Sequence, residues 1–594
     1  MEKKKDIHGP HLLVVPASTF DNWQNEIRTW SPTLSNGLAA YRGTKKMKEE
    51  IRGRNKSSIT IILTTYNMFE QSSGSAKDDR TWLRKFKFQT MICDEAHGLK
   101  NVASNRHQNL EAMDTKHRLL LTGTPMQNNI SELLAVLRFC MPHVFSDQRG
   151  GKKKKNKSKY ENGESDKPRF QAFADYFEAM DQVGDDGAKE NALSQIRTIM
   201  KPFVLRRLKQ DVLGDLSPKV SHTILLPMND AFQQTYRSVL QRVKDGKLAK
   251  KQLALEEAAE AAAEAAVAAG GGGGAGRKRL SKKNKLLKKN SKTKKIQSKK
   301  KTNIDPKNIY TELRKAANHP ILLLRHFQPY LDDIIDESYR LNLFGDETNK
   351  PTKKTVRDHL TAAKFGNDFR LGEFCQEYAS ESKLLSSLHS KRDVTGSMLN
   401  SPKLNWLRKH LPTMYKEGHR ILLFSQWTTL LDLMELFLQN IGEGDQYLRL
   451  DGSTTVNDRQ NMIDQFNQKN SKYRTFLLST RAGGMGINLA SADTVILHDL
   501  DPNPTLDKQA EDRAHRMGQT KQVTVYRLVM EGTVDQQILQ KSIKKDILNT
   551  SVLEDNKVPD PFADATDTGG GGSNKSKSMK SLIELALKQQ GMLE

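Results

Sequence analysis

Residues 88–101 read FQTMICDEAHGLKN, and this stretch decides the fold. Phe88 to Cys93 is a short apolar run that stops at Asp94-Glu95-Ala96-His97. A strand buried on both faces reads as a continuous apolar run, because helices cover both sides of a parallel sheet. A carboxylate pair at the end of such a strand sits where ligands bind in a doubly wound sheet. Asp94 is placed to hold Mg²⁺ through water, since Mg²⁺ keeps several waters and takes few carboxylates. Glu95 is placed to orient or deprotonate a water that attacks a nucleotide. Standing alone, the same pair is what a surface turn carries, so the surroundings must decide.

On both sides of this stretch, strand-like and helix-like segments alternate. HLLVVPAS reads as a buried strand and FDNWQNEIRTW as a helix. SITIILTTY and HRLLLTGTP are further apolar runs with polar ends, while NRHQNLEAM and NNISELLAVLRFC have helical apolar spacing. Alternation of this kind predicts an α/β fold with parallel strands. The pattern resumes over 401–545, with strands at HRILLFS, YLRLDG, YRTFLLST, DTVILHDLD and QVTVYRLV. There Ser401-Pro402 predicts a helix start and Gly418 its stop. Leu404, Leu407 and Leu411 form the apolar stripe between them.

The chain has 594 residues and a net charge of +25. Lys152–Lys159 carries six basic residues and no acid, and Arg277–Lys301 carries fourteen and no acid, so twenty of the charges sit in two blocks. Like charges at that density repel, stay unfolded and attract polyanions or import receptors. No apolar run reaches the ~18 residues of a membrane span. The opening MEKKKDIHGPHLLVVPAS has an apolar core, Leu12–Val15, too short for a signal peptide. Three cysteines, Cys93, Cys140 and Cys375, do not make a disulfide framework and read as free thiols in a reducing compartment.

Three more segments carry chemistry. Thr122-Gly123-Thr124-Pro125 ends the strand after DEAH, where small hydroxyls can sense phosphate or Mg²⁺. LLSTRAGGMGINLASAD, residues 477–493, runs a strand into glycines that let backbone approach phosphate. In DKQAEDRAHRMGQ, residues 507–519, Arg513 and Arg516 are three apart, which predicts one helical face presenting both. Arginine fingers of this kind are worth ~10³ to 10⁵ in rate. Taken singly, that segment also reads as a charged helix face paired with Glu511 and Asp512.

Together and in this order, these segments resemble the Snf-type chromatin-remodelling ATPases, of the superfamily-two helicase-like motors. LVVPASTFDNW resembles that family's motif Ia, LTTYNMF Ib, DEAHGLKN II, LLLTGTPMQNN III, LLFSQW IV, LLSTRAGGMGINLASAD V and QAEDRAHRMGQ VI. KPFVLRRLKQDV, LRKAANHP and YLRLDGST resemble further Snf-type blocks. LHDLDPNPTLDKQAEDR and LRFCMPHVF are most similar to the DEAD/H-box-containing subfamily A of the Swi/Snf-related regulators.

The resemblance implies two RecA-like lobes with ATP and Mg²⁺ in the cleft and double-stranded DNA across both. It implies a nuclear protein that acts on nucleosomes and their histones. Asp94, Glu95, Gln509, Arg513 and Arg516 would be catalytic, with Asp94 the Mg²⁺ residue. His97, Gly123, Thr124, Gly486 and Asn488 would contact the nucleotide or couple it to DNA. Ser18, Thr19, Thr65, Ser425, Gln426, Ser479 and Thr480 would lie near the DNA backbone, positioning without reading sequence.

The expected organisation is a first lobe over 1–145, a basic insertion over 146–168 and a helical family-specific region over 169–269. A disordered Lys-rich insertion follows over 270–303, then a helical protrusion and linker over 304–400. The second lobe spans 401–545 and a tail 546–594. No G-x-x-x-x-G-K-[ST] occurs in the sequence. The family places that loop upstream of LLVVPAS, so the first lobe is expected to be N-terminally incomplete. The alternative is a non-catalytic DNA- or chromatin-binding protein that keeps the fold.

Overall fold

In the computed structural model the described residues are 9–123, 130–142, 198, 201–207, 209–212, 214, 216–245, 306–323, 326–345, 350–361, 366–390, 400–483 and 486–553. The basic insertions, the Ala/Glu-rich stretch 250–269 and most of the tail lie outside them.

Five strands form the first sheet: β1 (His11–Val15), β2 (Leu38–Ala40), β3 (Ile61–Thr65), β4 (Phe88–Cys93) and β5 (Thr115–Leu120). They run parallel in the order β2-β3-β1-β4-β5. Side chains alternate across a strand. Leu12, Val14, Ile62 and Met91 therefore face one core, and Leu13, Val15, Ile61 and Leu63 the other. The second face is covered by helix α1 (Phe20–Trp30), which contributes Phe20, Trp23 and Ile27. Helix α2 (Ile130–Cys140) buries Phe139 in the opposite core. On the outer strand β5, Leu119 is half exposed.

Six parallel strands form the second sheet: β6 (Lys219–Leu226), β7 (Ile421–Ser425), β8 (Tyr447–Leu450), β9 (Thr475–Ser479), β10 (Thr494–Leu497) and β11 (Val523–Met530). Their order is β6-β11-β10-β7-β9-β8. Residues 219–226 correct the helical expectation for that region. They pair with β11 over eight residues, Lys219 opposite Val523 through Leu226 opposite Met530. An edge strand buries only part of its side chains, so KVSHTILL lacks the continuous apolar run of its neighbours.

Residues 306–323, expected within the helical protrusion and linker over 304–400, are helical and pack on the second lobe. Helix α3 (Pro306–Asn318) sinks Ile309, Tyr310, Leu313, Ala316 and Ala317 into the second lobe's core. A helix over 230–245 adds Phe232, Tyr236 and Leu240 to that core. The next helices, α4 (Leu331–Arg340), α5 (Lys353–Thr361), α6 (Asp368–Glu377) and α7 (Lys383–Ser390), enclose a core of their own, with Ile334, Val356, Leu371 and Leu385 buried.

Helix α8 (Pro402–Lys416) starts as its sequence predicts: Ser401 Oγ accepts from the Leu404 N–H at 3.1 Å. Gly418 follows its end with φ +76°, a value that favours glycine. Helices α9 (Thr428–Asn440), α10 (Pro504–Glu511) and α11 (Val534–Leu553) also belong to the second lobe, as do helices over Val456–Asn467 and Thr480–Gly483. The cysteines are free, Cys93 and Cys375 buried and Cys140 half-buried. Among the described residues no helix is long and apolar enough to cross a membrane.

Candidate active site

The carboxyl ends of β4 and β1 and the segment after α10 converge on one cleft of about 560 Å³. Asp94, Glu95, Thr19, Trp23 and Trp30 line it from the first lobe, and Gly486, Arg513 and Arg516 from the second. Residues more than four hundred positions apart thus share one cavity.

Asp94 is fixed from three directions. Its main-chain N–H donates to the Val14 carbonyl at 2.9 Å, continuing the ladder with β1. Its own carbonyl accepts from the Tyr66 hydroxyl at 2.6 Å. Its carboxylate accepts from Trp23 Nε1 at 2.8 Å and from the Glu95 N–H at 2.9 Å. Burial raises the Asp94 pKa, the Trp23 hydrogen bond opposes that, and the charge of Glu95 adds to it. A carboxylate held this way gains from a cation beside it.

Glu95 adopts φ +49° and ψ +48°, the left-handed region, in which a non-glycine residue costs roughly 1–2 kcal/mol. Its carbonyl is held by the Gly98 N–H at 3.1 Å. The Glu95 carboxylate lies 3.1 Å from His97 Nδ1. The nearby His97 ring, followed by the more distant charges of Arg513 and Arg516, lowers the Glu95 pKa against the opposing effect of burial. Glu95 is therefore a carboxylate at neutral pH.

The two arginines do not share a helical face. α10 ends at Glu511, and residues 512–518 continue as turns. Main-chain N–H groups still reach the carbonyls of the last turn, Asp512 to Lys508 at 2.9 Å and Arg513 to Ala510 at 3.1 Å, and two arginine side chains add to them. Arg513 Nε donates to the Gln509 carbonyl at 3.0 Å and Arg516 Nε to the Asp512 carbonyl at 3.1 Å. Burial lowers the pKa of Arg513 to about 10, with the charge of Arg516 adding to the effect, and burial lowers Arg516 as well. Both stay charged at neutral pH. Two half-desolvated cations opposite a carboxylate pair make a setting in which an anionic phosphoryl group is stabilised.

The other expected residues are dispersed. Gln509, half-buried on α10, offers its carbonyl to Arg513 and is not among the cleft-lining residues. Asn488 is exposed, its side-chain oxygen accepting from the Ala490 N–H at 3.3 Å. Gly123 is exposed with open space around it, and Thr124 lies outside the described residues.

Of the seven residues expected near DNA, all stand at or just past strand ends. Thr19, Thr65, Ser425, Ser479 and Thr480 are buried. Ser425 Oγ donates to Asp499 at 2.5 Å, and the Gln426 side-chain oxygen accepts from Arg314 at 2.7 Å. Ser18 and Gln426 are half-buried.

Trp23 carries no signal in the sequence. In FDNWQNEIRTW it occupies an ordinary position on an amphipathic face, and only the fold brings its indole N–H to Asp94.

Two domain families match the chain: the SNF2-related domain over residues 1–322 and the helicase conserved C-terminal domain over 402–518. The chain belongs to the SNF2-related family. Its two parallel sheets are the two RecA-like lobes of that family. Arabidopsis thaliana protein CHROMATIN REMODELING 19 is 34% identical over 554 residues, covering 92% of this chain and 62% of that protein. A Rattus norvegicus relative is the SWI/SNF-related matrix-associated actin-dependent regulator of chromatin subfamily A containing DEAD/H box 1. It is 34% identical over 575 residues, which cover 95% of this chain and 47% of that protein. The Caenorhabditis elegans homolog of that regulator is 33% identical over 586 residues, covering 98% and 50%. This SNF2-related chain thus spans between about half and three-fifths of the length of these relatives. A crystal structure of the C-terminal part of the Fun30 ATPase domain aligns with a TM-score of 0.44 at 26% identity, covering 64% of this chain and all of that one.

Proposed function

We propose that the chain is the core of a nuclear, ATP-dependent double-stranded DNA translocase that repositions nucleosomes. The observation that supports this reading is the single cleft shared by Asp94 and Glu95 of one lobe and Arg513 and Arg516 of the other. Phosphoryl transfer asks little covalent chemistry of a protein and much positioning and charge stabilisation. Glu95, kept ionised, orients the attacking water and takes its proton. Arg513 and Arg516 stabilise the charge on the transferring phosphoryl group when the lobes close.

Asp94 fits Mg²⁺: its carboxylate faces the cleft, is raised in pKa by burial, and keeps lone pairs beyond its two hydrogen bonds. Mg²⁺, when bound, neutralises charge on the phosphates of ATP. DNA is held by its backbone beside the strand ends, where Ser18 and Gln426 are the half-buried members of the set, and contact without base readout suits movement along any sequence. The relatives' names carry the chromatin part of the proposal, with nucleosomal histones as partners. The Arg277–Lys301 block is assigned to a nuclear import receptor.

A second reading, a non-catalytic DNA- or chromatin-binding protein, is favoured by one observation: the 594 residues contain no G-x-x-x-x-G-K-[ST]. One experiment separates the two. ATP hydrolysis by this chain is measured with and without duplex DNA, beside Glu95→Gln. DNA-stimulated hydrolysis that Glu95→Gln abolishes supports the translocase. Duplex binding with no hydrolysis and no nucleotide binding supports the second reading.

A further inference from the structure

Beyond α10 the segment that carries Arg513 and Arg516 keeps only scattered main-chain turns, among them Arg513 to Ala510 and Ala514 and His515 to Glu511. Groups outside it supply much of the rest of its anchoring. Those groups come from β6 and the residues just before it, nearly three hundred positions earlier in the chain, from Arg527 on β11, and from residues 489–492, where the Leu489 N–H donates to the Arg513 carbonyl at 3.2 Å and the Ala490 and Ala492 carbonyls accept from Gln519 Nε2. Glu511, 1% exposed, accepts Lys219 Nζ at 2.8 Å on one oxygen and Arg527 Nη2 at 2.6 Å on the other. Lys209 Nζ donates to the Asp512 carboxylate at 2.7 Å and to the His515 carbonyl at 2.9 Å. His515 Nε2 lies 2.8 Å from the Ser217 carbonyl, and Ser217 Oγ donates to the Gln519 carbonyl at 3.3 Å.

These interactions differ in weight. The Lys209–Asp512 pair is solvated on both sides, with 41% and 39% of the side chains exposed, and pairs of that kind contribute little. Glu511 is different. A buried carboxylate bracketed by two cations cannot shift without leaving a desolvated charge uncompensated. It is therefore the fixed point of the turn. Arg513 follows two residues later, and the Ala514 and His515 N–H groups both return to the Glu511 carbonyl, at 3.2 and 3.3 Å.

We propose that Glu511 is a positioning residue for Arg513 and Arg516, and that Lys219 of β6 is the group through which the edge strand sets it. This rests on the reading of the two arginines as phosphate-stabilising groups. The strand that holds the turn belongs to the polypeptide leaving the first lobe. A change at β6 therefore has a direct route to the cleft in the Lys219–Glu511 pair, beside the contacts that Lys209 and Ser217 make with the same turn.

The test uses the full chain with Glu511→Gln, which keeps shape and loses charge, together with Lys219→Met and Lys219→Arg. Misplacing catalytic groups by about 1 Å costs up to ~10²-fold in rate. Lys219→Met and Glu511→Gln are expected to lower kcat for ATP hydrolysis by about tenfold, with the KM for ATP within about twofold. Lys219→Arg is expected to restore kcat. Hydrogen exchange of the same proteins reports on the turn whether or not the parent hydrolyses ATP. Amides of 512–519 are expected to exchange about tenfold faster in both variants, with β9 and β10 unchanged. Unchanged exchange over 512–519, or acceleration across the whole second lobe, overturns the positioning role. A parent that hydrolyses no ATP but shows the local exchange effect overturns the translocase reading and leaves the structural part of this one standing.

Discussion

Gly486 of the second lobe lies against Thr19 of the first: a Cβ built on Gly486, at φ +71°, would stand 2.3 Å from the Thr19 Cγ2 methyl. That distance is far inside van der Waals range, and the backbone angle is one that side chains resist. An alanine there faces roughly 1–2 kcal/mol of backbone strain before any clash. The lobes would have to part at the cleft, taking Arg513 and Arg516 away from Glu95. Gly486→Ala is expected to lower ATP hydrolysis about tenfold. Adding Thr19→Ser, which deletes the offending methyl, is expected to recover part of that activity. Steady-state kinetics of the two variants checks this, and a Gly486→Ala protein as active as its parent would refute it.

The pH dependence of the cleft turns on His97. Its ring is the first cause of the lowered Glu95 pKa. A depressed carboxylate contributes stability above its unfolded value and loses it as pH falls through the folded one. A general base follows the same sign, because it must be ionised to act. His97→Ala removes that ring and leaves burial opposed only by the charges of Arg513 and Arg516, so the Glu95 pKa rises. The acid limb of the pH–rate profile for ATP hydrolysis is expected to move to higher pH. An unmoved limb would mean that His97 does not tune Glu95.

How much of this is legible in the sequence depends on where each strand sits. β1, β3, β4, β7, β9 and β10 are inner strands, covered on both faces, and their apolar runs announce them. β2 spans only Leu38–Ala40, too short to show any pattern. β6 is an edge strand whose alternating exposure hides it in a region that reads as helical. The carboxylate pair is legible because a strand end in this fold is a ligand position. The arginine spacing is legible, but the end of α10 is not, because the residues that follow it are anchored by groups far away in the chain, such as Lys209 and Ser217. Trp23 and the Lys219–Glu511 pair are not legible, since each depends on a partner far away in the chain.

Lys403 carries a stability prediction. Its side chain is fully buried, and Nζ donates to Asn318 Oδ1 at 2.9 Å, the His498 carbonyl at 2.8 Å and Asp535 Oδ2 at 2.7 Å. These hydrogen bonds join α8, α3, the end of β10 and α11 at one atom. Lys403→Met leaves the Asp535 carboxylate buried without its cation, which costs about 3–5 kcal/mol. The double variant Lys403→Met with Asp535→Leu removes both desolvated charges and is expected to recover most of that. Chemical denaturation followed by a probe in the second lobe measures both. A single variant within about 0.5 kcal/mol of its parent would show the pair to be dispensable.

The Arg277–Lys301 block offers the last prediction, and it is one of sequence, since the block lies outside the described residues. Fourteen basic residues in twenty-five suit either an acidic import receptor or the phosphates of DNA. The two uses separate by salt dependence. Every phosphate that a cation neutralises steepens the fall of log K with log salt by about 0.9. With import as its role, deleting 277–301 is expected to abolish nuclear accumulation of a fluorescent fusion. The salt slope of duplex binding by the purified protein should stay as it was, because the strand-end groups proposed to meet the DNA backbone are untouched. Nuclear accumulation that survives the deletion ends the import role. A slope that becomes shallower by several units assigns the block to DNA, where it would tether the translocase to the duplex it moves on.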